Sequence, residues 1–149
     1  MGKVTTNLTV TNHIDQILAE RGFLTPDEIR SVELRDVLVD TGTNNLCLPA
    51  DVINQLGVPL YGEVDAKLAV GLKTLKVYKE IELTIGERSG TFRCVELPPG
   101  ESPLLGLIPL EDLGLEPNLQ TQKLRFLPET GQETYVMVLS LAVDMANPS

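Results

Sequence analysis

The chain has 149 residues, 42% of them hydrophobic and 22% charged, with 12 basic against 21 acidic side chains and a formal charge of −9. That length suits one domain able to bury a core without disulfide or metal staples, and so acidic a balance argues against a binder of phosphate backbones. One His (His13) and two Cys (Cys47, Cys94) offer no basis for a His/Cys zinc site, a Cys–His nucleophile pair or a disulfide framework.

Aromatic residues make up only 4% and Trp is absent, so the core must be built from Leu, Val and Ile. No stretch approaches the ~18 apolar residues of a membrane span. The first residues lack a basic region followed by an apolar run, so a cytoplasmic protein without a membrane partner is expected. Met1-Gly2 with Thr6 fits a myristoylation pattern and Asn7-Leu8-Thr9 a glycosylation sequon. Both patterns are short and are read as chance matches.

Val4 to Val10 alternates β-branched and apolar residues and predicts a strand. From His13 to Arg30 the spacing of Ile14, Ile17 and Leu18 is helical, Gly22 is a stop, and Thr25-Pro26-Asp27-Glu28 is a second helix start. A helical insertion over 13–30 is expected. Extended structure resumes at Val32 and reaches Val37-Leu38-Val39, which stops at Asp40-Thr41-Gly42. Leu46-Cys47-Leu48-Pro49 is a second apolar stretch, and Ala50 to Leu56, closed by Gly57, is a short helix.

Val64 to Leu83 supplies two extended arms around Gly71, and Glu87-Arg88-Ser89-Gly90 is a turn into a strand over Thr91 to Leu97. Pro98-Pro99-Gly100 breaks the chain. Leu104-Leu105-Gly106 follows, then a short helix from Pro109 to Leu113 closed by Gly114. Lys123 to Leu127 and Thr134 to Val143 are strands joined around Thr130-Gly131. Many short strands with turns every 8–12 residues indicate an all-β barrel or sandwich with one or two short helices.

Asp40 is the informative residue. An acid directly after an apolar strand is carried to the edge of the core, where desolvation favours the neutral carboxyl and suits it to proton transfer. Gly42 permits a tight turn that directs amides at the carboxylate. The competing reading is an ordinary strand-ending turn, since Asp, Thr and Gly all form turns.

Four features in order change that balance. They are Val37-Leu38-Val39-Asp40-Thr41-Gly42, then Leu68-Ala69-Val70-Gly71-Leu72, then Val77 to Gly86, then Leu104-Leu105-Gly106 with Leu110 to Leu115. From about Val32 to Leu127 the chain resembles the retropepsin-like aspartic proteases, the family of retroviral proteases and their bacterial relatives. The resemblance implies an acid protease barrel acting as a homodimer, and an aspartic-type endopeptidase that hydrolyses peptide bonds with a water activated by two aspartates, without metal or cofactor.

By that resemblance Asp40 is the catalytic residue, within an active-site loop completed by Thr41, Gly42 and Thr43. Thr41 grips the partner's loop and Gly42 offers its backbone to substrate. Thr43 stands where Ala or Ser is more usual. Asn44 and Asn45 hold the positions of an acidic pair that meets the substrate backbone in the viral enzymes. Val70, Gly71 and Leu72 form the flap over the cleft, with one glycine where the family has several. Leu104, Leu105 and Gly106 support the site from behind. The insertion over 13–30 and an extension over 128–149, expected to add a dimer-interface strand, exceed the minimal viral pattern.

The implied partners are a second copy of the chain and a peptide or protein substrate, with neither nucleic acid nor membrane. A non-catalytic dimeric peptide-binding or scaffolding module on the same fold is the alternative. Asp27-Glu28 and Glu111-Asp112 read as helix-start or exposed charge, His13 as solvated, Cys47 as a small buried hydrophobe, and Tyr61 and Tyr78 as packing residues.

Overall fold

A computed structural model describes residues 3–128. The expected strand at Thr134–Val143, with most of the 128–149 extension, lies outside the described residues. Strands dominate: β1 (Thr5–Asn12), β2 (Ser31–Val39), β3 (Leu46–Leu48), β4 (Leu60–Leu68), β5 (Gly71–Ile85), β6 (Arg88–Glu96), β7 (Leu104–Leu105), β8 (Leu115–Asn118) and β9 (Lys123–Phe126). Three short helices join them, α1 (His13–Glu20), α2 (Ala50–Leu56) and α3 (Leu107–Leu113): one in the expected insertion and two at the short helices expected within the barrel segment. No helix among the described residues is long and apolar enough to cross a membrane.

The main sheet runs β1-β2-β7-β3-β6-β5-β4, and β1 also pairs with β5, closing a ring from which the β4–β5 hairpin projects. The β2–β7 and β3–β6 pairings are parallel and the others antiparallel. Inside lie Leu8, Val10, Val37, Leu46, Leu48, Ile81, Leu83, Ile85 and Leu105, with α2 adding Val52, Ile53 and Leu56 and α3 adding Leu110 and Leu113. Each such side chain taken fully from water contributes roughly 1.5–3 kcal/mol. The alternation of Ile81, Leu83 and Ile85 is the period of a half-buried strand, and all three are buried.

The insertion is less helical than expected. α1 ends at Glu20, and Thr25 starts only a single 3-10 turn over Pro26–Glu28. Glu28 Oε1 accepts from both the Thr25 amide and the Thr25 hydroxyl, each at 2.9 Å. A polar knot holds the segment to the body. Asn12 caps α1 by accepting from the Asp15 amide (3.0 Å) and donates to the Leu56 carbonyl (2.8 Å). Asp15, itself buried, accepts from the Arg30 amide and guanidinium at 2.9–3.1 Å. These hydrogen bonds hold the Asp15 carboxyl below its ordinary value against the opposing effect of burial.

Three further expectations change. The β5–β6 turn falls at Gly86-Glu87 rather than at Glu87 to Gly90. Arg88 is drawn into the strand, where it donates to the carbonyls of Leu113 (2.9 Å), Gly114 (2.7 Å) and Leu127. α3 starts at Leu107, two residues early, because its first amides have acceptors in the Asp40 loop. β9 pairs with β8, Leu115 facing Phe126. Glu116, Pro117 and Asn118 carry no strand signal, so β8 was not expected.

Candidate active site

β2 delivers Asp40 at its C-terminal end, one residue past Val39. The chain turns there because the carboxylate captures the loop that follows it. The Gly42 amide donates to Asp40 Oδ1 at 2.9 Å and the Thr43 hydroxyl to Oδ2 at 3.1 Å. The Thr43 amide closes the turn onto the Asp40 carbonyl at 3.2 Å. Both carboxylate oxygens are therefore oriented within the chain, and Asp40 stays half-buried. A Cβ on Gly42 would come within 3.2 Å of Asp40 Oδ1.

The loop is braced from below by the Leu-Leu-Gly segment. The Asp40 amide donates to the Leu105 carbonyl (2.9 Å), and the first amides of α3, on Leu107 and Ile108, donate to the carbonyls of Thr43 (2.7 Å) and Asn44 (2.8 Å). Gly106 lies at the closest approach: a Cβ there would meet Asn45 O at 2.3 Å, Thr43 O at 2.6 Å and Asn45 N at 2.7 Å. Those are backbone atoms that cannot swing aside, so the glycine is required for space.

Leu104 and Leu105 divide between two faces. Leu105 is fully buried in the core. Leu104 is half-buried, outside the core cluster, and pairs with both Leu38 and Cys47. Asp40 follows Leu38 by two residues and so continues its side of the strand. Cys47 is buried, its Sγ 3.6 Å from the Asn45 carbonyl. Its thiol is pushed up to about 11 by burial and, secondarily, by the charge on Asp40. Cys94, whose neighbours include Cys47, is pushed up to about 12, chiefly by burial. Both thiols are free and stay protonated near neutrality, which makes them poor nucleophiles.

The remaining sequence-derived residues sit apart. Thr41 is exposed and borders a groove of about 350 Å³ lined with Leu107, Leu110, Leu115, Pro117 and Leu127. Asn44 is exposed and Asn45 half-buried, and no side-chain hydrogen bond of either is found among the described residues. Val70 (79% exposed) and Leu72 (77%) stand at the tip of the β4–β5 hairpin, which turns at Ala69-Val70. No hydrogen bond among the described residues joins that tip to the Asp40 loop. The sequence reading did not single out Leu38, Val77 or Val95 as neighbours of this face. The signal was the two-residue alternation that carries the Asp40 side through the sheet, but it depends on pairings that only the fold reveals. No protein-family model matches the chain, and no curated protein matches it.

Proposed function

We propose that the chain is an aspartic-type endopeptidase of the retropepsin-like kind, working as a homodimer whose two Asp40 side chains form the catalytic pair. The observation that carries this reading is the Asp40 carboxylate itself. Both of its oxygens are hydrogen-bonded by its own loop, and that loop is locked against Gly106 while the residue stays half-buried. The carboxylate bonds are ones an Asx turn also makes. What a plain turn does not need is the bracing from beneath, where the Leu107 and Ile108 amides and Gly106 fix the Thr43–Asn45 segment, and a group that must meet a second carboxylate in fixed geometry does need it. The ring of strands and the projecting hairpin support the same reading.

The sequence contains one Asp-Thr-Gly, so the second aspartate comes from the partner. Two carboxylates in contact do not both ionise, and the pair holds one shared proton; aspartic proteases are a standard instance. The ionised carboxylate takes a proton from a water whose oxygen attacks the scissile carbonyl carbon, while the neutral carboxyl protonates the carbonyl oxygen. The resulting gem-diol collapses as the C–N bond breaks. One diol hydroxyl gives its proton to the ionised carboxylate, and the leaving nitrogen takes the proton held by the neutral carboxyl, so that the pair again holds one proton. Thr41 ties the two loops together, and Val70, Gly71 and Leu72 close over the substrate and exclude water.

Incubating the wild type and Asp40→Asn with a peptide mixture, with products read by mass spectrometry, tests this. Cleavage by the wild type that is lost in Asp40→Asn and falls on dilution is the expected result. Equal cleavage by both overturns the proposal. Peptide binding without cleavage, unchanged in Asp40→Asn, favours a binding module instead.

A further inference from the structure

The β4–β5 hairpin has two unlike faces. Register puts Glu63 opposite Lys76, Asp65 opposite Thr74 and Lys67 opposite Leu72 on one of them. The Thr74 hydroxyl donates to Asp65 there at 2.9 Å. The other face carries Val64 opposite Leu75, Ala66 opposite Lys73 and Leu68 opposite Gly71. Lys73 is the only charged residue in those pairs. It is exposed, and it makes no ion pair among the described residues.

The face bearing Lys73 is continuous with the one that bears Asp40. Paired residues in a sheet point the same way, and residues two apart along a strand share a side. Leu104 pairs with Cys47, Cys47 with Val95, and Val95 with Val77. None of these four joins the core cluster, whereas the neighbouring Leu105, Leu46, Cys94 and Tyr78 belong to it or pack against it. From Val77 the same side passes through Leu75 to Lys73. The acidic side chains of the hairpin arms, Glu63 and Asp65, point the other way, and beside Asp40 the loop continues with the neutral Asn44 and Asn45.

We infer that Lys73 is a specificity-determining residue that selects peptides with a Glu or Asp near the scissile bond, flanked by apolar residues that lie against Val64, Leu75 and Val77. This rests on the reading of the Asp40 face as a peptide cleft. A chain of net charge −9 repels acidic peptides at long range, so a preference for them has to come from a local cation. An ammonium on an apolar strip, with no carboxylate of its own, supplies one.

The probe is a set of fluorescein-labelled dodecapeptides of otherwise random sequence with Glu, Gln or Lys fixed at one position in turn. Cleavage is read as kcat/KM on the wild type, and binding by anisotropy on Asp40→Asn. At one position Glu is expected to exceed Gln by about tenfold, the scale of one charge-assisted hydrogen bond. Lys73→Met should erase the preference and Lys73→Glu reverse it toward Lys, while Lys76→Glu, on the opposite face, leaves it intact. Cleavage without a Glu preference, or a preference that survives Lys73→Glu, overturns the inference and leaves the protease reading standing. A Lys73-dependent preference in binding without cleavage keeps the inference and removes the protease. Competition by polyphosphate as strong as by the Glu peptides makes Lys73 a general anion contact and also overturns it.

Discussion

The Asp40 loop and the β4–β5 hairpin bound the same face and are built in opposite ways. Around Asp40, backbone amides from two segments converge on one loop, and Gly106 leaves no room for a methyl group. At the hairpin tip, Val70 and Leu72 are exposed and a Cβ on Gly71 would meet nothing within 4 Å. β4 hydrogen-bonds to β5 alone, so the projecting arm is a two-stranded ribbon, the least self-sufficient kind of sheet. One side is fixed by crowding and the other is held by few contacts, a division that the proposed endopeptidase would use as a rigid floor under a movable cover.

Substitutions can break this contrast. The largest effect is expected from Gly106→Ala, whose methyl would overlap three backbone atoms of the Thr43–Asn45 segment. A loss of about 3–5 kcal/mol is expected, in the range of severe core overpacking, and urea titration measures it. A loss below 1 kcal/mol would mean that the floor is not rigid.

The polar knot behind α2 comes next. Asp15→Asn removes the charge that faces Arg30. The Arg30 side chain is 52% exposed against 5% for Asp15, so solvent screening lowers the loss to about 2 kcal/mol from the 3–5 of a fully buried pair. Because the folded pKa of Asp15 is depressed, its contribution is complete above the ordinary value of 3.8 and fades as the pH falls through the lower folded value. The wild type should therefore lose more stability on acidification than Asp15→Asn does. Parallel pH curves would contradict this.

A smaller and local effect is expected at the cover. Gly71 has φ 118°, a conformation costly for alanine, so Gly71→Ala should loosen the tip by about 1–2 kcal/mol. Hydrogen exchange should quicken in the hairpin arms and remain unchanged near Asp40. Spread of the effect to the Asp40 loop would show that the two regions are coupled in the single chain. The smallest effect concerns the thiols: with Cys47 and Cys94 pushed up to about 11 and about 12, maleimide should label neither in the native protein at neutral pH.

Local signals in the sequence carry much of this architecture. Gly57 and the apolar spacing of Val52, Ile53 and Leu56 delimit α2, and the break after Val39 locates the Asp40 turn. Pairing between distant strands is not written locally. Leu104 and Leu105 are chemically identical neighbours, and only the parallel pairing with β2 determines which of them faces the core. β8 has no local signal, because Glu116, Pro117 and Asn118 become a strand through pairing with β9 rather than by propensity. Nothing in the local sequence sets Lys73 apart from Lys67, Lys76 and Lys79, and only the register of β4 with β5 separates the faces of the hairpin.

The central claim is that one active site needs Asp40 from two chains. Mixing wild type with Asp40→Asn at constant total concentration, allowing subunits to exchange, and measuring peptide cleavage tests it most directly. If both aspartates are required, activity follows the square of the wild-type fraction. Activity that falls in simple proportion to that fraction would mean that each chain works with its own Asp40 alone.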